Sequence, residues 1–345
     1  MKKIKFFLLI SAFVILSAAQ AFAFHGVLWQ MKIPVTSNIK VYENNLYFGD
    51  AVGICYAVNK NSGSVVWTYN AEGTIIGTPA VLEDKESKIL FVSSDGGITC
   101  LNLDDGSLIW NYDPRESRNE PINDGTAAGE GLFFVTKDDS KLYALNADTG
   151  RRVWTYNGGE QGLRTAAAYS DGLIFLGEYD GVFNIIDAKT GERLNGGGAG
   201  GAVNTPAVTG GNVYFSSWDG SVQAVKIKSV IPLWNTNVKD PVVTSPEISN
   251  GIIAVGTGRG FVVVLDEKDG EILWNFDCGN GSVSAKPVIA NGKVFVCPEG
   301  GNVYELNAKS GRLIDTFETD GISLNPAYAD GIFYFSGGGI IALKE

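Results

Sequence analysis

The chain has 345 residues, 45% of them hydrophobic and 19% charged, with 44 glycines and 11 prolines, a balance that excludes a disordered tail protein and a collagen-like fibre. Its formal charge is −11, with no cluster of lysine or arginine, which excludes a protein that binds nucleic acid by neutralising phosphates. A single histidine, His25, excludes a His-based catalytic triad or a multi-histidine metal site within one chain.

Residues 1–23 combine a basic start (Lys2, Lys3, Lys5), an apolar run from Phe6 to Leu16 and small residues at Ala21 and Ala23. This is the pattern of a secretory signal peptide cleaved after Ala23. The apolar run is shorter than the ~20 residues a membrane span needs, and no later segment approaches that length, so no integral span is expected after cleavage. No cysteine follows the cleavage site, so the leader is not that of a bacterial lipoprotein. Residues 24–345 are expected to form one domain in the periplasm or outside the cell.

Gly26-Val-Leu-Trp29-Gln-Met31 reads as a strand, and beyond it the chain is a series of repeats. The segments 59–67, 102–110, 146–154, 187–195, 266–274 and 307–315 share a pattern of Asn or Asp, a glycine four residues on, and then a hydrophobic strand. The glycines are Gly63, Gly106, Gly150, Gly191, Gly270 and Gly311, and a copy at 226–234 has Val230 in the same place. Trp67, Trp110, Trp154, Trp234 and Trp274 come after the turn, and Trp29 stands 38 residues before Trp67. Anchors spaced 39 to 44 residues apart match one four-stranded propeller blade.

Within each unit an alternating strand such as Lys141-Leu-Tyr-Ala-Leu145 precedes the anchor, and its period of two places one face in a core. The glycine allows a tight turn. Trp154-Thr-Tyr156 and its counterparts then alternate aromatic with polar residues, as an outer strand packed between blades does. Upstream, small residues such as those in Thr205-Pro-Ala-Val208 suit an innermost strand near a crowded axis. Seven anchors make seven units, and residues 325–345 supply three more strands that lack an outer partner. The predicted fold is all-β: an eight-bladed β-propeller of four-stranded antiparallel blades, the last closed by the N-terminal strand, which leaves no open edge.

The run from Ala144 to Trp154, ALNADTGRRVW, resembles the repeat of the pyrroloquinoline-quinone (PQQ) propellers, and the resemblance covers essentially the whole mature chain. It is most similar to the cofactor-free branch of BamB-like scaffolds of outer-membrane assembly. That branch implies a non-catalytic platform without a cofactor, whose partner is another envelope or extracellular protein. The enzyme branch, the quinoprotein dehydrogenases, implies PQQ with calcium, a pair of adjacent cysteines, a Trp floor and a catalytic Asp. Here no two cysteines are adjacent and no long inserted loops cover a cofactor. A PQQ-dependent dehydrogenase and a carbohydrate- or peptide-binding propeller stand as the alternatives to the scaffold.

Three sets of residues are candidates for function. Aligned inner strands bring Ser37, Thr78, Thr126, Thr165, Thr205, Ser245, Lys286 and Asn325 to one axial ring, with Arg164 and Asn204 one residue upstream. Arg164, Asn204, Lys286 and Asn325 are the candidate ligand site for a small anionic or polar molecule, beside a purely structural role for the hydroxyls. The longest insertion, between Tyr112 and Thr126, carries Arg115, Arg118 and Asp124 as a candidate partner-binding loop. Gly196-Gly-Gly198 and Gly200-Gly201 read as a flexible connection between blades 4 and 5. Of the four cysteines, Cys278 and Cys297 are expected on one rim of adjacent blades, and a disulfide between them is the third candidate feature.

Overall fold

Each repeat unit folds as four strands that run outward from a central axis, and a computed structural model describes them over residues 26–112, 122–163, 165–229, 231–279, 281–319 and 324–344. The described residues form 32 strands in eight four-stranded antiparallel sheets and no helix. Blade 3 shows the order from axis to rim: Ile122–Gly129, Leu132–Lys137, Lys141–Asn146 and Arg152–Asn157. The last blade takes Ala327–Ala329, Ile332–Ser336 and Ile340–Lys344 from the C-terminus and Val27–Met31 as its outer strand, with Trp29 opposite Ala342. The predicted eight blades and their closure by the N-terminal strand are thus both present.

No single core holds the ring. Apolar side chains form eight separate layers, one between each pair of neighbouring blades, as with Phe133 against blade 2 and Phe134 against blade 4. A middle strand therefore buries both of its faces, and Leu132–Lys137 is buried along its whole length. The alternation read from Lys141 to Leu145 marks two cores rather than one: Leu142 and Ala144 enter the layer toward blade 4, and Tyr143 and Leu145 the layer toward blade 2.

The anchor turn has a role that turn propensity alone does not convey. In the third-to-fourth hairpin of blade 3 the Asn146 Oδ1 accepts from the backbone N–H of Asp148 and Thr149, and Gly150 N–H donates to the Asn146 carbonyl at 2.8 Å. Gly150 is left-handed, with φ +68°, and a Cβ there would come within 2.6 Å of the Trp110 indole of blade 2. The Trp110 Nε1 donates to the Ala147 carbonyl of the same turn at 2.8 Å. Gly63 with Trp29, Gly106 with Trp67, Gly191 with Trp154, Gly270 with Trp234 and Gly311 with Trp274 repeat the contact, each with an indole bond of 2.9 to 3.1 Å into the next blade.

The exceptions obey the same rule. Asn195 replaces the tryptophan of blade 4, and in the sequence of blade 5 the anchor glycine is replaced by Val230. Asp315 replaces the tryptophan of blade 7, and blade 8 has no hairpin turn at that place because its third and fourth strands come from opposite ends of the chain. Cross-strand from Asp315 lies Glu305, fully buried and ion-paired through Oε1 to Lys293 Nζ at 2.6 Å.

Three sequence expectations change. All four cysteines are free thiols, so the Cys278–Cys297 bridge is not formed. Cys278 enters the layer between blades 6 and 7 and Cys297 the layer between blades 7 and 8, on opposite faces of one sheet. Gly196–Gly198 are not a connection but the end of the outer strand Arg193–Gly198, paired with Val182–Asn184. Asp124 lies in the inner strand Ile122–Gly129 rather than in a loop.

This packing leads to three expected outcomes. Gly131, also left-handed but with nothing within 4 Å, is the control for Gly150. Gly131→Ala should cost about 1 to 2 kcal/mol of backbone strain, and Gly150→Ala about 2 to 4 kcal/mol because the indole must also move. Equal losses in denaturant titrations would show that the tryptophan contact contributes nothing. Deleting residues 26–31 should lower the melting temperature sharply and promote aggregation, since it removes Trp29, at a cost of about 3 to 5 kcal/mol, and bares a strand edge. An unchanged melt would refute the closure. Burial raises Cys100 and Cys278 to about 12 and pushes Cys55 and Cys297 upward as well, so native unreduced protein should react poorly with a thiol reagent at about pH 8 and show four thiols once denatured. Two thiols after denaturation would establish a bridge.

Candidate functional site

Backbone pairing sets which inner-strand residues share a ring. Thr205, Ser245, Lys286 and Asn325 are equivalent as expected, two residues before the pairs Ala207↔Tyr214, Glu247↔Ala254, Val288↔Phe295 and Ala327↔Tyr334. In blades 1, 3 and 4 the same rule selects Asn38, Gly125 and Ala166, so Ser37, Thr126 and Thr165 sit one residue out of register. None of these three blades has the proline that follows the ring residue in blades 2, 5, 6, 7 and 8, and a one-residue shift sends a side chain to the other face.

The ring works first as a seam between blades. Lys286 N–H donates to Asn325 Oδ1 at 2.7 Å, Asn325 N–H donates to Asn38 Oδ1 at 2.9 Å, and Asn38 Nδ2 donates to Thr78 Oγ1 at 2.9 Å. Thr126 Oγ1 extends the chain to the Thr78 carbonyl at 2.7 Å. Amide side chains thus do for four neighbouring inner edges what a further strand would do, satisfying backbone groups that face the lumen. Ser37 Oγ accepts from Gly49 N–H at 2.7 Å, and Thr165 Oγ1 donates to the Gly177 carbonyl at 3.0 Å. Asn204 is used up in the same way, its Nδ2 donating to the Val242 carbonyl and to Ser216 Oγ.

Inside the ring lies a polar cavity of about 260 Å³ lined by Asn38, Asn204, Thr205, Ser245, Lys286 and Asn325 among others. Of the candidate ligand residues, Asn204, Lys286 and Asn325 line it, and Arg164 lies outside the described residues. Lys286 Nζ is paired with Glu247 Oε2 of blade 6 at 2.6 Å. Asn38, which lines the cavity, and Glu247, which pairs with Lys286, are positions the aligned sequence did not single out; the Ser-Pro-Glu run of blade 6, where five blades have Ala, was the available signal for the second.

The face that carries the second-to-third strand turns also carries the connections between blades. Backbone bonds such as Ala199 N–H to the Gly181 carbonyl and Val238 N–H to the Gly220 carbonyl tie the described connections to the turns beside them. The recurrent Asp180-Gly181 and Asp219-Gly220 are turns here, as expected, with Asp219 Oδ1 accepting from Ser221 N–H at 2.9 Å. On this face Trp218 is 51% exposed, its ring centroid 6.3 Å from that of Tyr179 in the adjacent blade. The loop candidates Arg115 and Arg118 lie outside the described residues. Trp218 breaks the pattern of the other tryptophans in sequence, since it precedes Asp-Gly instead of following the anchor glycine.

The residues present do not fit a quinone held against calcium. Six tryptophans clamp turns far from the axis and Trp218 lies on the rim, so none provides a floor at the lumen. The lumen carboxylate Glu247 is taken by Lys286, and among the described residues no group of three or more His, Cys, Asp or Glu is placed to hold a metal.

Comparison with known proteins agrees with this geometry. The family described as outer membrane protein assembly factor BamB matches residues 25–229 and 219–323. The chain is 24% identical over 282 residues to the outer membrane protein assembly factor BamB of Shewanella oneidensis, covering 78% of this chain and 70% of that protein. The crystal structure of BamB from Moraxella catarrhalis superposes with a TM-score of 0.80 at 18% identity, covering 92% of this chain and 98% of that one. A stretch of 158 residues is 32% identical to the quinohemoprotein alcohol dehydrogenase of Comamonas testosteroni, but it covers only 22% of that protein. A propeller closed by its N-terminal strand, whose repeat residues serve packing and whose lumen does not fit the quinone, belongs to the family of outer membrane protein assembly factor BamB.

Proposed function

We propose that the protein is exported by its leader and serves as a non-catalytic scaffold in assembly of the bacterial envelope, docking a protein partner on its turn face. The observation that carries this reading is the exposed Trp218 beside Tyr179 on a rim of short turns. The Trp218 indole is half open to solvent, whereas each of the other six is bonded to a turn of the next blade. Aromatic side chains held on a rigid frame are favoured anchors of protein interfaces, because they add large contact area at little entropic cost. Family membership supports the class of partner, a protein of the outer-membrane assembly apparatus. Among the described residues no helix is long and apolar enough to cross a membrane.

The test is capture from a native envelope extract by the immobilised chain, with retained proteins identified by mass spectrometry. Retention of an outer-membrane assembly component is expected, with at least a tenfold loss in Trp218→Ala and no change in its melting temperature. Capture that persists in Trp218→Ala and in the double variant with Tyr179→Ala would move the interface elsewhere. A quinone found in stoichiometric amount in protein purified from its host would overturn the scaffold reading.

A further inference from the structure

The second strand of a blade ends where the turn to the third begins, and five blades place a short or acidic residue there: Asp50, Ser93, Glu178, Ser217 and Thr257. In blades 1 and 4 that carboxylate accepts a hydrogen bond from the third strand beside it, Asp50 Oδ2 from Tyr56 Oη at 2.9 Å and Glu178 Oε1 from Asn184 Nδ2 at 2.6 Å. Blade 3 has Lys137 at this place, so the charge is reversed. The hydroxyl of Tyr143, the counterpart of Tyr56, turns instead to Asp139 Oδ2, which also holds Lys141 Nζ at 2.7 Å. Five other blades fold without a cation here, so neither the turn nor the packing asks for one.

Lys137 is only 5% exposed, yet its side chain makes no hydrogen bond or ion pair among the described residues. What it has is two π faces: Nζ lies 5.2 Å from the ring centroid of Tyr112 in blade 2 and 5.5 Å from that of Tyr143. Two rings attract an ammonium, but they do not replace the anion that a buried charge ordinarily has beside it. Lys137 lines a cavity of about 470 Å³ between blades 2 and 3, together with Ile98, Tyr112, Tyr143, Leu145 and Arg152. Arg152 is exposed and likewise has no ion pair among the described residues. Two cations thus border one cavity whose described lining holds no carboxylate, in a chain of net charge −11.

We infer that this cavity between blades 2 and 3 binds a small amphipathic organic anion: a compact carboxylate or phosphate head on an apolar body. The head supplies the Lys137 ammonium with the counter-charge that the protein withholds, and Arg152 adds a second positive charge on the solvent-facing side. The body takes the place of water against Ile98, Leu145 and the tyrosine rings, which a bare inorganic ion would leave wet. The volume falls within the roughly 300–1,000 Å³ of small-molecule sites, and a lining of aromatic and aliphatic side chains with a few polar groups is the composition such sites have. The site is separate from Trp218, which belongs to blade 5, so its failure leaves the docking face untouched.

The test is titration calorimetry on the full mature chain with 3-phenylpropionate and phenyl phosphate, compared with neutral 3-phenylpropanol and with acetate at matched ionic strength. Saturable binding of at least one of the two aryl anions is expected, roughly tenfold or more tighter than that of 3-phenylpropanol or acetate, and the tighter of the two identifies the head. Lys137→Met keeps the reach of the side chain and removes its charge, and should bind that anion roughly tenfold or more weakly while still melting cooperatively. Arg152→Ala changes an exposed position, and should weaken binding about threefold. Lys309→Ala, in the anchor turn of blade 7, should bind as wild type does. If Lys137→Met gives no cooperative melt, Arg152→Ala decides alone. Lack of saturable binding of either aryl anion overturns the site, and so does equal binding of 3-phenylpropanol, or binding that neither variant weakens.

Discussion

The contact between a tryptophan of one blade and the anchor glycine of the next holds the ring together. A propeller blade is a sheet with two apolar faces and cannot bury either alone, so its neighbours must be set at one distance and one angle. The indole supplies both: its face rests on a turn that has no Cβ, and its N–H is tied to a carbonyl of that turn. Shape and hydrogen bonding therefore act at the same point, six times around the ring. At the two interfaces without the tryptophan, the facing turn has lost its glycine or does not exist. The two residues answer to one constraint.

This arrangement separates stability from function. Eight layers of apolar side chains carry the burial, and the residues that recur in every unit are spent on turns and layers. What remains for recognition are the departures from the repeat. Trp218 stands where other blades place Ser94, Tyr179 or Gly258 in the same turn, and Lys40 and Glu247 stand where five other blades place alanine. A scaffold of this kind presents binding groups on an unyielding frame, so that few of the groups that bind lose freedom when they do.

The axial seam shows how polar residues serve the same end. Inner strands present an unpaired edge to the lumen, and water can satisfy it. In blades 7, 8, 1 and 2 the protein instead runs a relay of asparagine amides and backbone groups from one blade to the next. It passes through blade 8, whose third and outer strands come from opposite ends of the chain, and on to blade 1, which residues 32–39 join to the outer strand of blade 8. Hydrogen bonding there reinforces the closure that the N-terminal strand makes at the rim.

The repeat, its period, the blade count, the turn at each glycine and the N-terminal closure were legible in the sequence, because each rests on local chemistry: alternation with a period of two, left-handed glycine and side-chain caps on turns. The ring position of blade 1 falls one place from where its residues suggest, as do those of blades 3 and 4, because the register of a short inner strand is set by pairing with its neighbour and not by its own residues. The Cys278–Cys297 bridge fails for a related reason: the rim on which a residue lies is set by strand direction, but the face of the sheet it enters is set by pleat and packing. The tertiary structure alone decided what the anchor glycine touches, since its partner lies more than 30 residues away in the preceding blade. It alone also paired Glu247 with Lys286, from the inner strands of two neighbouring blades 39 residues apart.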